Sequence, residues 1–87
     1  MTGVERILER ALHLVRGGQR SPFAALCMAE QVDSGDSTQD PARALLAVMA
    51  ACGGTLTEWY EFGPRRSQAE TVQIFEDALF AVQVGGA

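Results

Sequence analysis

Apolar and polar positions fall into four stretches at helical spacing, separated by breaks rich in glycine, serine and proline. The most apolar stretch is Asp40-Pro41-Ala42-Arg43-Ala44-Leu45-Leu46-Ala47-Val48-Met49-Ala50-Ala51-Cys52, stopped by Gly53-Gly54. It carries one charged side chain, Arg43, between its cap and its stop. Asp40 is placed to cap this helix, with Pro41 at the first helical position. A helix apolar nearly all round is normally enclosed by other elements. The pattern therefore predicts a central helix over 41–52, with the rest of the chain wrapped around it. At about 100° per residue its surface divides in two. Leu45, Val48, Met49 and Cys52 form one side, the expected core side, with Leu46 at its edge. Ala44, Ala47 and Ala51 form the other. An alanine stripe lets another backbone approach closely, from a helix of the same chain or from a second subunit. It is also what a strong helix former on a half-exposed face looks like.

The flanking stretches have clear punctuation. Thr2 and Glu5 stand in capping-box relation and open a helix over 3–16. Val4, Ile7, Leu8, Ala11, Leu12, Leu14 and Val15 lie on its apolar face; Glu5, Arg6, Glu9, Arg10, His13 and Arg16 lie on the other. Ser21-Pro22 opens a second helix over 22–32, apolar on every side from Phe23 to Ala29 and so expected to be largely buried. Residues 33–40, Asp-Ser-Gly-Asp-Ser-Thr-Gln-Asp, predict a mobile acidic surface loop. Thr55 and Glu58 suggest a short helical turn over 56–62, which holds the single Trp and the single Tyr and stops at Gly63-Pro64. Ser67 and Glu70 form a further capping box for a last helix over 68–83. Its core face carries Val72, Phe75, Leu79 and Val82, widened by Ile74 and Ala78. Phe80 and Val84, one turn apart, break its polar side. β-branched residues are sparse and no alternating run is long enough for a strand. The expected fold is all-α: one domain over residues 1–87, a bundle of four main helices plus a short aromatic helical segment.

With 87 residues, 47% of them hydrophobic and 21% charged, the chain has the balance of a globular domain with a modest core. No apolar run approaches the length that spans a bilayer. No basic-then-apolar leader is visible, so the expected localisation is the cytosol. A net charge of −4 disfavours nucleic acid and anionic membranes as partners and suits a basic protein.

Candidate chemistry is thin. Cys27 and Cys52 sit in apolar helical patterns without a second Cys or a His at metal spacing, and read as buried free thiols. The lone His13 follows Glu9 by one turn and reads as half of a solvated pair. Asp33, Asp36 and Asp40 lack the ligand alternation and closing Glu of a calcium loop. The sequence contains no phosphate loop, nucleophile elbow or zinc-protease motif. No catalytic residue, metal or cofactor is therefore expected. Arg66-Ser67-Gln68-Ala69-Glu70 resembles the opening of a helix-turn-helix, yet no second helix follows, and Glu70, Glu76 and Asp77 would face phosphate.

The order of helices, with Trp59-Tyr60-Glu61 and then Arg66-Ser67-Gln68-Ala69-Glu70-Thr71-Val72, resembles an uncharacterised family of small proteins from actinobacteria and their phages. That family carries a W-N-D segment and an R-T-x-A-E-V start to its last helix. The sequence departs from it at Tyr60 and Glu61 and has an extra residue before Val72. The resemblance implies a bacterial or phage origin and a shared fold; the family has no assigned activity. The expectation is a small non-enzymatic protein-interaction module, phage-encoded in this reading and acting on a host protein. Candidate contacts are Trp59, Tyr60, Arg65 and Arg66, the Phe80 and Val84 pair, and the Ala44, Ala47 and Ala51 stripe. The last two would also suit a homodimer. The Trp59 segment reads equally as a core plug. The main alternative is an acidic inhibitor that presents Glu30, Asp33, Asp36 and Asp40 to a basic nucleic-acid-binding protein. DNA binding and enzymatic activity rank below both.

Overall fold

The computed structural model describes residues 2–19, 21–53 and 67–85. The aromatic turn expected over 56–62, with Trp59, Tyr60, Arg65 and Arg66, lies outside the described residues. Among the described residues four α-helices follow in order: α1 Gly3–Arg16, α2 Pro22–Val32, α3 Asp40–Cys52 and α4 Gln68–Gly85. No strand occurs among the described residues. The fold is an all-α bundle.

The helix starts follow from local chemistry. The first amides of a helix have no partner within it, and at three of the four starts a side-chain oxygen just before the first turn supplies one. Thr2 Oγ1 accepts from the Glu5 amide at 3.2 Å, Ser21 Oγ from Ala24 at 3.2 Å and Ser67 Oγ from Glu70 at 3.2 Å. At both boxed starts the glutamate accepts the cap hydroxyl's own proton, Thr2 to Glu5 at 3.2 Å and Ser67 to Glu70 at 3.3 Å. The far end of α1 is closed from another element. Gln68 Nε2 donates to the carbonyls of Val15 at 3.2 Å and Arg16 at 3.0 Å. This fastens the start of α4 to the end of α1, so α4 runs back antiparallel along it.

The centre of the bundle is α1, which corrects the expectation for α3. Gly3, Val4, Ile7, Leu8, Ala11, Leu12 and Val15 are all buried along α1, and α4 and α2 pack on it most extensively. From α3 the buried residues are Asp40, Ala44 and Val48. The buried line of α3 straddles the two expected sides: Val48 from the expected core side and Ala44 from the alanine side are both fully buried. Ala44 is fully buried, with Ala47 and Ala51 packed against the core beside it. Leu45, Met49 and Cys52 are, like Ala47 and Ala51, partly buried against the core, and Leu46 is 61% exposed. The small Ala44 lets α3 lie close against α1 and α4, with Val48 buried one turn on and Leu46 left on the outer side. Ala44 is thus core and offers nothing to a partner. In α2 the buried set is Pro22, Ala25, Leu26 and Ala29, while Phe23, Met28 and Val32 are exposed. The two cysteines are half-buried rather than buried. Phe75, fully enclosed, and Ile74, Ala78 and Val82 complete the core from α4.

Candidate functional site

Three surfaces carry the residues singled out by the sequence. The first is the acidic loop, which the fold turns into a clasp. Arg6, on the polar face of α1, donates from Nε to Asp33 Oδ2 at 2.8 Å and from Nη2 to Asp36 Oδ1 at 2.6 Å. Asp33 Oδ1 accepts from the Gly35 amide at 2.9 Å, an Asx turn that tightens the loop. Asp40 Oδ2 accepts from the Asp36 amide at 2.8 Å and the Ser37 amide at 3.2 Å. Asp40 was expected to cap α3 and to present charge outward. It does neither: it is 5% exposed, stands within α3, and turns its carboxylate back to the loop. The close seat needs glycine on both sides. A β-carbon at Gly3 would overlap the Asp40 carboxylate and the Asp36 amide, and Gly35 holds φ +89° with its open side against Asp40.

The electrostatics of the clasp follow its geometry. Hydrogen bonds from Arg6, ahead of every other influence, hold the Asp33 and Asp36 carboxyls below the usual carboxylate range. The guanidinium is pushed up in turn, first by Asp36 and then by Asp33. Glu30, half-buried at the end of α2, is raised by desolvation. Of the four acidic-surface candidates, Asp36 and Asp33 are therefore engaged by one cation and Asp40 is buried. The loop lies at the surface as expected, with residues 34 and 36–39 exposed, but Asp33 and Asp36 are paired to Arg6 and Asp40 is turned inward. Arg6 had no local sequence signal for this role. Its partners lie 27 and 30 residues away along the chain.

The second surface is the rest of the polar face of α1. Glu9, Arg10 and His13 line a shallow open depression with Arg6 and Asp33. Among the described residues, no group of three or more His, Cys, Asp or Glu could hold a metal ion. No helix among them is long and apolar enough to cross a membrane.

The third surface is the outer side of α4. Its buried residues Thr71, Ile74, Phe75, Ala78 and Val82 form one stripe. By helical geometry Phe80 points about 180° away from the middle of that stripe. It is 66% exposed, and Val84, one turn on, is 70% exposed. Beside Phe80 a groove runs between α1 and α4, with Leu12, Leu79 and Phe80 as its apolar lining and Arg16, Glu76 and Asp77 along it. Arg16 approaches Glu76 at 3.7 Å, with both side chains largely in solvent. Gln73 Nε2 donates to Asp77 Oδ1 at 2.8 Å. The fold thus separates the sequence candidates. Phe80 and Val84 share one surface, Ala44 is enclosed, Ala47 and Ala51 are half-buried against the core, and the acidic loop belongs to the clasp.

No family model, no curated protein and no solved structure matches this chain.

Proposed function

We propose that the protein is a non-enzymatic interaction module that docks another protein chain on the outer face of α4. One observation carries this reading. Phe80 and Val84 stand one turn apart, 66% and 70% exposed, on a helix whose core requirement is met by the opposite face. Large apolar side chains that stay mostly exposed and lie adjacent on one helix are what a helix-mediated interface uses as anchors. Convergent titratable groups lend less support to a catalytic reading. Arg6, Asp33 and Asp36 hold the loop to α1, and the depression beside them is open. The acidic-inhibitor reading draws less support for the same reason, because Asp33, Asp36 and Asp40 already have partners within the chain.

Affinity capture from a bacterial lysate tests the docking reading. The wild-type chain should retain one or more proteins that the Phe80→Asp variant loses, with both chains equally helical by circular dichroism. Identical capture profiles for the two chains would remove the α4 face as the docking surface.

A further inference from the structure

The occupant of this surface can be specified by its chemistry. The groove between α1 and α4 lies between two antiparallel helices, and a third helix packs naturally along such a trough. Its apolar lining is Leu12, Leu79 and Phe80. Its charge is predominantly acidic. Helix α4 contains Glu70, Glu76 and Asp77 and no Lys, Arg or His in its whole length. Among the described residues the one cation at the groove is Arg16, and its 3.7 Å pair with Glu76 is solvent-exposed and readily exchanged. The chain as a whole has a net charge of −4, so a second copy would bring like charge against like.

We propose that the α1/α4 groove seats a basic amphipathic helix of a partner protein. Its apolar side lies on Phe80 and Leu79, and its lysines or arginines lie against Glu76 and Asp77. This rests on the reading of α4 as a docking face and adds the class of partner. Phe80 supplies the buried anchor, and the carboxylates supply orientation and faster association.

Three labelled synthetic peptides test the proposal against the full-length chain by fluorescence anisotropy. One is an amphipathic helix with a leucine face flanked by lysine and arginine. The second keeps the leucine face with glutamate flanks. The third has the composition of the first, scrambled so that no apolar face remains. The first should bind, and the other two should bind about tenfold more weakly or worse, since each lacks one of the two complementary features. Combining Glu76→Gln with Asp77→Asn should weaken the first peptide and flatten its salt dependence. Phe80→Asp is the sharpest arm. It adds a negative charge, so attachment by charge alone would tighten, whereas seating on an apolar anchor is lost. Equal binding of the scrambled peptide, unchanged or tighter binding by Phe80→Asp, or no binding of the first peptide overturns the proposal. Light scattering distinguishes this failure from failure of the docking reading. A wild-type dimer dissolved by Phe80→Asp, without peptide binding, removes the basic helix and leaves the docking face. A wild-type monomer without peptide binding, together with identical capture profiles, removes both.

Discussion

Arg6 joins two parts of the chain that share no local sequence pattern: it reaches from α1 to Asp33 and Asp36 in the loop before α3. Both carboxyls are held below the ordinary range, so the unfolded chain takes up their protons first as pH falls. The clasp's contribution to stability is therefore complete at neutral pH. It is lost as pH falls from the usual carboxylate range through the lowered folded values, while Arg6 stays charged. Glu30 has the opposite sign. Burial raises its carboxyl, so its charged form costs stability at neutral pH, and that cost is relieved as the folded group takes up a proton. Urea midpoints measured against pH should show both effects. Replacing Asp33 and Asp36 by Asn should flatten the acid limb, and Glu30→Gln should remove the shallow gain above it. An acid limb unchanged in the Asn variant would mean that the clasp does not govern acid sensitivity. Gly3 offers a second test at this scale. Gly3→Ala forces a β-carbon into the Asp40 carboxylate and the loop backbone. A loss of about 1–3 kcal/mol is expected, typical of overpacking. It should appear with faster amide exchange at Asp36 and Ser37, whose amides are bonded to Asp40.

Among the elements, α3 shows how a helix can be apolar nearly all round without being central. Its fully buried line is Ala44 and Val48, while Leu45 and Met49 are partly buried and Leu46 faces out. Ala44→Leu should therefore cost about 1–3 kcal/mol by chemical denaturation, because added methylenes have nowhere to go. Leu46→Ser on the exposed face should stay within about 0.5 kcal/mol of wild type. The reverse ranking, with Leu46 sensitive and Ala44 tolerant, would restore the side of α3 that its larger residues suggest. In α2, Ser21 is the one cap side chain of the first turn, so Ser21→Ala should cost about 1 kcal/mol. The helix starts were legible because capping is a contact over three residues and is written locally. The orientation of α3 was not, since Leu45 and Ala44 differ by about 100° and either side can face a core whose position other helices determine.

At the scale of the whole molecule, α4 carries enclosed apolar residues on one face and exposed ones, Phe80 and Val84, on the other. Phe75 is fully enclosed, and truncating it to Ala should cost about 3–5 kcal/mol. Phe80→Asp, on the opposite face, should leave the urea midpoint close to wild type while changing what the protein binds. A large stability loss at Phe80 would place it in the fold rather than at an interface. The exposed Phe80 and Val84 pair was visible as two apolar residues that break a polar side; the groove beside it was not, because Leu12 and Arg16 come from α1. By itself the sequence determined the all-α class, the positions of the four described helices, the caps of α1, α2 and α4, and the amphipathic face of α1, because periodicity and capping act within a turn or two. Tertiary structure alone decided that α1 is the centre, that Ala44 faces inward, that Asp40 is buried, and that the acidic loop closes on Arg6. These depend on contacts between residues far apart in the chain, where a short helix with several plausible faces takes the one that lets its neighbours pack most closely.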